Sequence, residues 1–240
     1  MEPLENLNQY LDTYSNDPFE DENRRGLTRY VDYCLKHRIG NDSLLELGIG
    51  HGIALEKLRQ HFRRMVVLEG ASVLVEQYAN QYPNVEVVET YFEQFSTTEK
   101  FDNIGMGFIL EHVDDPALIL RRFAPFLSAS GRIFIGVPSA SSMHRTLAQQ
   151  AGMLDDIRQL TPTDLAFGHK RLWTYQDWKQ LLEDEGFTIE KIQGLAFKPF
   201  STGQLSSLNL EPKIVAALDD LSLSYPELAN ALFIEASYGH

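Results

Sequence analysis

Two hydrophobic periods alternate along this chain from residue 43 onward. Short, nearly continuous apolar runs are typical of strands buried on both faces of a sheet, and apolar residues that recur every three or four positions are typical of helices. The runs predict strands at 43–47, 65–68, 85–88, 103–108, 132–137, 187–192 and 231–238. The periodic stretches predict helices at 26–38, 53–62, 73–82, 116–129, 174–185 and 212–220. Their alternation predicts a parallel sheet covered by helices on both faces.

Two stretches fall outside this alternation. Residues 1–25 are polar and acidic with interspersed aromatic residues, and we expect a helical lead-in that packs over the main domain. Residues 138–172 are irregular and read as a segment inserted between the predicted strands and helices. A length of 240 residues fits a single domain, so we expect one domain of residues 1–240 with an N-terminal lid of residues 1–38.

Composition and charge narrow the classes of function. The formal net charge is -13, so a polynucleotide partner is not expected, because binding to a phosphate backbone needs clustered positive charge. No apolar run approaches the length of a membrane span, the start lacks the pattern of a signal peptide, and Cys34 is the only cysteine. We therefore expect a cytoplasmic protein with no membrane partner and no intramolecular disulfide; a homodimer stays open.

A glycine-rich turn follows the first predicted strand. The segment has the pattern acid-x-Gly-x-Gly-x-Gly, formed by Glu46, Gly48, Gly50 and Gly52, and a predicted helix begins directly after it. Glycines at such a turn let the backbone approach a ligand closely. A dinucleotide-binding fingerprint has its third glycine three positions after the second, where this chain has Ile53. The turn therefore favours a nucleotide-like ligand other than a dinucleotide, with a plain structural turn as the alternative.

Two further motifs agree with this turn. Glu69 closes the second predicted strand, where a carboxylate can accept hydrogen bonds from both hydroxyls of a ribose; the alternative is a surface acid. The segment 101–116 contains Leu110-Glu111-His112-Val113, and 134–138 has the sequence Phe-Ile-Gly-Val-Pro. Over roughly residues 40–195 the chain resembles the class I S-adenosylmethionine-dependent methyltransferases, in their small-molecule branch with the Leu-Glu-His-Val signature.

This resemblance implies a fold and a cofactor. The fold is a Rossmann-like doubly wound α/β sheet of about seven mostly parallel strands, with an antiparallel last strand, helices on both faces, a helical N-terminal lid and an inserted cap segment. Residues 39–137 would form the cofactor-binding half, and 138–240 the substrate half with the closing strands. The cofactor implied is S-adenosyl-L-methionine.

The resemblance also assigns residues to the cofactor. Glu46 and the three glycines of the turn would line its methionine part, and Glu69 would bind its ribose. Gly107 occupies the position that offers a backbone carbonyl to the amino group of the cofactor. His112 would lie near the mouth of the pocket; local packing at a helix start is the alternative.

One position departs from the pattern of that family. After the third strand the family often places an aspartate that reads the adenine amino group, but this chain has Tyr91 and Phe92. We expect adenine recognition to rest on backbone groups and on packing by these two aromatic rings. Packing in the hydrophobic core is the alternative for both of them.

Polar residues in two loops point to the methyl acceptor. Because loops at the carboxyl ends of parallel strands form the site in such sheets, the segments around His144 and His169 should lie over the transferable methyl group. Both histidines are candidate general bases, with loop-fixing hydrogen bonds as the alternative. Arg145 and Arg171 are candidate ligands for an anionic substrate group, and Tyr14 of the lead-in is a further candidate for substrate binding.

No metal site is predicted. The seven histidines show no ligand spacing, and a helix start explains the acidic residues after Glu111 and His112 better than a bound ion does. The function expected is methyl transfer from S-adenosylmethionine to an oxygen or nitrogen of a small metabolite. A sugar, an amino compound or a natural-product or peptide intermediate would fit. Two alternatives stay open, a nicotinamide-dependent oxidoreductase and a non-catalytic cofactor-binding module.

Overall fold

The computed structural model describes residues 6–11, 19–40 and 42–239. These residues form a seven-stranded sheet of order β3-β2-β1-β4-β5-β7-β6. Strand β7 runs antiparallel to both of its neighbours, and the other pairs are parallel. The predicted Rossmann-like fold with an antiparallel last strand is thereby confirmed. The strands are β1 Ser43–Leu47, β2 Arg64–Glu69, β3 Glu86–Glu89, β4 Phe101–Gly107, β5 Leu127–Pro138, β6 Phe187–Ala196 and β7 Ala231–Tyr238.

Helices cover both faces of this sheet. They are α1 Glu20–His37, α2 Ile53–Leu58, α3 Ser72–Gln81, α4 Pro116–Phe123, α5 Met143–Gln150, α6 Pro162–Ala166, α7 Tyr175–Asp184, α8 Thr202–Ser207 and α9 Pro212–Ser224. Short 3-10 helices lie at Leu7–Tyr10, Ala124–Phe126 and Pro226–Leu228. No helix among the described residues is both long and apolar enough to cross a membrane.

The hydrophobic core has two layers because side chains alternate between the faces of each strand. On β1, Leu44 packs with Tyr30 of α1, whereas Leu45 points to the opposite layer, which holds Phe123 of α4 and Trp178 of α7. All five of these side chains are buried. Cover on both faces explains why the parallel strands read as continuous apolar runs in the sequence.

The predicted helix after Asp115 ends earlier than its apolar periodicity indicates. The side chain of Asp115 caps α4, accepting a hydrogen bond from the backbone N–H of Leu118, but the helix stops at Phe123. Pro125 has no N–H and its ring obstructs a further helical turn, so a 3-10 turn follows. The prediction that this helix continues to residue 129 was therefore wrong, since β5 already begins at Leu127.

Segments predicted to be irregular contain three short helices. Helix α5 lies in the inserted segment, as does α6, and α8 lies in the predicted loop after β6. Thr161 and Asp164 form a reciprocal capping box at the start of α6, and Ser201 and Gln204 form another at the start of α8. Both boxes are readable in the sequence as a hydroxyl residue followed three positions later by an acid or amide.

Candidate functional site

A cavity of ≈ 840 Å³ lies at the carboxyl ends of the central strands. Its floor includes the glycine turn after β1 and the ends of β2 and β4, where the strand order reverses, the usual ligand site of such sheets. Its walls come from the N-terminal segment, including Leu7, Tyr10 and Phe19, and from α5 and the residues around α6. The volume is typical of small-molecule sites, which span about 300–1,000 Å³.

The glycine turn needs its glycines for two different reasons. Gly50 has a φ of +51° and lines the cavity, and a Cβ built on it would meet nothing within 4 Å. Gly52 has a φ of +72°, but its Cβ would lie 2.0 Å from the hydroxyl oxygen of Tyr78 on α3. Gly52 is thus required for packing and is not among the residues that line the cavity, whereas Gly48 and Gly50 are.

Glu69 joins the end of β2 to the glycine turn. Its Oε2 accepts a hydrogen bond of 2.9 Å from the backbone N–H of Ile49, and its Oε1 accepts one of 2.8 Å from that of Ala71. Burial raises the pKa of this carboxyl group, and the bonds from Ala71 and Ile49 act in the opposite direction. Each carboxylate oxygen has a second lone pair, so the carboxylate can still accept hydrogen bonds from a ligand in the cavity.

Glu46 is a buried carboxyl group at the same edge of the sheet. It lies on β1 with 1% of its surface exposed, and its Oε2 has no hydrogen-bond partner among the described residues. Burial raises its pKa to about 8, and the Tyr30 hydroxyl offsets this effect only in part. A buried carboxylate of this kind is stabilised by a cation, so Glu46 suits the ammonium group of an amino-acid ligand.

Replacement of Gly105 by alanine tests how tightly Glu46 is packed. A Cβ on Gly105 would lie 1.8 Å from Oε2 of Glu46, so Gly105→Ala should destabilise the protein by about 1–3 kcal/mol. Urea denaturation measures the free energy of unfolding. Gly203→Ala is the matched control, because nothing lies within 4 Å of its Cβ and alanine favours the helix that contains it. Equal effects of the two substitutions would contradict this packing.

The structure separates the two aromatic residues predicted for adenine. Phe92 lines the cavity, but Tyr91 is not among its lining residues.

Gly107, at the end of β4, lies between the cavity and α1. It lines the cavity on one side, and on the other side a Cβ built on it would lie 2.7 Å from the ring of Tyr30. Phe108, directly after it, has a φ of 59°, a left-handed conformation that is strained for a residue with a side chain.

Histidines gather at the other end of the cavity. His112, His144 and His169 all line it, together with the buried Glu111. The ring centroids of His112 and His169 are 4.9 Å apart. Burial lowers the pKa of His112 and of His144 well below the usual range, and burial raises the pKa of Glu111 to about 7. At neutral pH His112 and His144 are therefore neutral imidazoles.

His169 is oriented by a carboxylate that the sequence analysis did not identify. Its Nδ1 lies 3.3 Å from Oδ1 of Asp164, although this contact lacks the geometry of a full hydrogen bond. Burial alone would raise the pKa of Asp164, but interactions with His169 and Thr161 hold it at about 2. Asp164 is thus ionised at neutral pH and favours a proton on the ring nitrogen that faces it.

The two candidate arginines are engaged by backbone carbonyls. Arg145 lines the cavity, but its guanidinium donates to the carbonyls of Ile157 and Gln159. Arg171 donates to the carbonyls of Leu110, Val113 and Asp114 and is not a lining residue. Both side chains therefore hold loops in place. Tyr14, the third candidate for substrate binding, lies outside the described residues.

Further polar residues of the cavity come from distant parts of the chain. Lys198, after β6, donates a hydrogen bond of 2.6 Å to the carboxylate of Glu22 on α1. Thr202 and Asn230 donate to the same carboxylate. All four residues line the cavity, and no local motif in the sequence marks them. They join the N-terminal helix α1 to the segment between β6 and β7.

Comparisons with known proteins agree with this geometry. Residues 19–192 match a family model described as "Methyltransferase domain". The ubiquinone biosynthesis O-methyltransferase of Aeromonas salmonicida is 25% identical over 170 residues, which cover 66% of this chain and 68% of that protein.

Solved structures share the fold at low sequence identity. An S-adenosylmethionine-dependent methyltransferase from Mesorhizobium loti superimposes with a TM-score of 0.60 at 18% identity, covering 85% of this chain and 94% of that one. The plantazolicin methyltransferase BpumL, in complex with a triazolic analogue and SAH, also gives 0.60 at 17% identity, covering 98% and 96%. Because the family model spans well over half of its residues, this chain belongs to the methyltransferase-domain family and is an S-adenosylmethionine-dependent methyltransferase.

Proposed function

We propose that this enzyme methylates an oxygen atom of a small metabolite, with a nitrogen acceptor as the second candidate. The observation that carries the proposal is a single cavity that reaches from Gly50 and Glu69 to His144 and His169. A cofactor on the glycine turn and a small acceptor beside the histidines can therefore meet in one space. The net charge of -13 disfavours a polynucleotide acceptor.

The cofactor end fits the parts of S-adenosylmethionine. Glu46 would pair with the ammonium of its methionine part, which supplies the cation that this buried carboxylate otherwise lacks among the described residues. Glu69 would accept hydrogen bonds from the ribose hydroxyls while it holds the turn through Ile49. Phe92 would pack on the adenine, and Gly107 would offer its carbonyl. Bound S-adenosylmethionine supplies an activated methyl group on a sulfonium.

At the acceptor end the residues of the protein position the nucleophile and take its proton. The Nδ1 of His144 has no hydrogen-bond partner among the described residues, so this ring nitrogen is available to take the proton of an acceptor hydroxyl as the methyl group is transferred. His169, oriented by Asp164, is the second candidate for this role. The walls around them would hold the acceptor in place, which favours an in-line approach of the two reacting atoms.

The walls and the relatives indicate the class of acceptor. Leu154, Phe167 and Leu172 give the histidine end an apolar side, which suits a hydroxyl carried on an apolar or aromatic body. The Aeromonas relative is named as an O-methyltransferase, which favours oxygen over nitrogen. The methyltransferase family also makes a nicotinamide-dependent oxidoreductase a poor description of this site.

Replacement of His144 by asparagine tests the proton acceptor. With a hydroxyl acceptor, kcat of His144→Asn should fall by about 10²–10⁴, the usual contribution of a positioned base, while the Kd of S-adenosylmethionine stays the same. Mass spectrometry of a panel of phenols, sugars and amines measures the methylated product. His61→Asn, which removes an exposed histidine, should retain full activity.

Two results would contradict parts of this proposal. Unchanged kcat in His144→Asn would remove His144 from proton transfer. If the wild-type protein binds S-adenosylmethionine but methylates no member of a broad panel, a non-catalytic cofactor-binding module becomes the better description.

A further inference from the structure

Three metal-ligating side chains meet at the histidine end of the cavity. Glu111, His112 and His169 each offer one ligand atom, and these atoms all lie within 4.8 Å of one another. A metal ion with bonds of about 2.0–2.2 Å separates its ligands by about 3–4 Å, so small side-chain rotations would close the set. The sequence does not predict a metal site here, because His169 lies far along the chain from the other two residues.

The carboxylate of this cluster, Glu111, is buried and incompletely hydrogen-bonded among the described residues. Only 1% of Glu111 is exposed, and its Oε2 has no hydrogen-bond partner among the described residues. Its Oε1 lies 4.0 Å from Nε2 of His112. A buried oxygen of this kind is costly unless it is paired or coordinates a metal. This unpartnered oxygen is independent support for a ligand between the three side chains.

Each imidazole of the cluster also has a polar neighbour of the kind that lies behind metal-binding histidines. Such histidines donate their second ring N–H to a carbonyl or a carboxylate, which fixes the tautomer and the ring orientation. His112 bonds to the backbone of Gly168. Nδ1 of His169 faces Asp164 at 3.3 Å, so a proton there would leave Nε2 free as a ligand.

The backbone holds the two halves of the cluster together without a bound ion. The N–H of Lys170 donates a hydrogen bond of 2.9 Å to the carbonyl of Glu111. The guanidinium of Arg171 donates to the carbonyls of Leu110 and Val113, on either side of Glu111 and His112. The segment after β4 and the segment that carries His169 are therefore tied side by side.

We propose that Glu111, His112 and His169 bind one divalent transition-metal ion, whose open positions face the cavity and hold the hydroxyl of the acceptor. Two imidazoles and one carboxylate suit Zn²⁺, Co²⁺, Mn²⁺ or Fe²⁺, whereas Mg²⁺ and Ca²⁺ prefer oxygen ligands. This proposal rests on the proposed O-methylation and adds to it a metal ion that holds the acceptor hydroxyl. His169 then serves as a ligand, and His144 remains the proton acceptor.

The chemical step balances with this assignment. The ion withdraws charge from the acceptor hydroxyl, whose proton passes to His144. The oxygen then forms a bond to the methyl carbon as the bond from that carbon to sulfur breaks, and its electron pair stays on sulfur. No oxidant or reductant is needed, since the ion acts as a Lewis acid throughout.

Metal titration of the full-length protein, first stripped with a chelator, tests the site without any acceptor. Calorimetry should give one Zn²⁺ or Co²⁺ per chain, and bound Co²⁺ should show the visible absorption of an ion with nitrogen ligands. Glu111→Gln and His169→Gln should each weaken binding by at least about 10-fold, and Mg²⁺ should bind far more weakly. His61→Asn, an exposed histidine away from the cavity, should bind like the wild type.

The outcomes separate the metal site from the proposed function. No stoichiometric binding, or wild-type affinity in both Glu111→Gln and His169→Gln, would overturn the metal site. Affinity for S-adenosylmethionine, measured on the same variants, shows that they are folded. If methyl transfer is undiminished in excess chelator, the ion has no part in the reaction, and the proposed O-methylation stands without it. Tight Co²⁺ binding without any methylated product would support the metal site and count against the proposed acceptor chemistry.

Discussion

Gly50→Arg is expected to abolish detectable binding of S-adenosylmethionine. Gly50 lines the cavity, and nothing lies within 4 Å of the position of its Cβ, so the arginine side chain would extend into the space proposed for the cofactor. Its guanidinium would also repel the positive sulfonium in a site of low polarity. Isothermal calorimetry with S-adenosylmethionine and with its demethylated product measures the loss.

Backbone strain has to be separated from this blockage. The φ of +51° at Gly50 costs a residue with a side chain about 1–2 kcal/mol, whatever the side chain does. Gly40→Arg is the matched control, since Gly40 has a φ of +58° and is exposed away from the cavity. It should lose similar stability in urea and keep its affinity for the cofactor. Cofactor binding by a folded Gly50→Arg protein would place the methionine part elsewhere.

Glu46→Gln is expected to change the pH dependence of stability in the cofactor-free protein. Burial raises the pKa of Glu46 to about 8 in the folded state, against its ordinary value of 4.5 in the unfolded chain. Between these values the folded protein holds a proton that the unfolded chain has released. The free energy of unfolding therefore falls as pH rises from 4.5 to 8, by up to about 5 kcal/mol at about 1.4 kcal/mol per pH unit.

Glutamine carries no charge at any pH, so the variant should lose this dependence. Urea denaturation at pH 5 and pH 8 measures the free energy of unfolding of both proteins. The difference between the variant and the wild type should shift in favour of the variant by a few kcal/mol from pH 5 to pH 8. Affinity for S-adenosylmethionine should fall at the same time, because the ammonium loses its anionic partner. Glu76→Gln, an exposed control, should alter neither quantity. A pH dependence that is the same in Glu46→Gln and the wild type would show that Glu46 is already ionised.

The parallel strands and the glycine turn were predictable because local physics determines them. Strands covered on both faces are apolar almost throughout, and a proline directly after Asp115 suits the first position of a helix capped by that aspartate. Glu46, Gly50 and Glu69 could be placed near one another because they follow strands that end at the same edge of the sheet. These features depend on neighbours in the chain or on the order of the strands.

The acceptor end was harder to predict because its contacts join distant residues. Arg145 and Arg171 are typical anion ligands by residue type, but nothing local reveals that backbone carbonyls occupy their donors. The pair of Lys198 with Glu22 spans most of the chain. Pro125 is the opposite case, because it is a local signal for the end of the helix. The apolar periodicity beyond it nevertheless led to the prediction of a longer helix.

Glu69 combines two contributions to cofactor binding in one side chain, so its mutation alone does not separate them. Its two oxygens hold Ile49 in the glycine turn and Ala71 at the start of the next helix, besides facing the proposed ribose. A binding defect in Glu69→Ala would sum a lost ribose contact and a displaced turn. Methionine analogues without a sugar report the turn alone, and the difference between the two ligands gives the true contribution of the ribose contact.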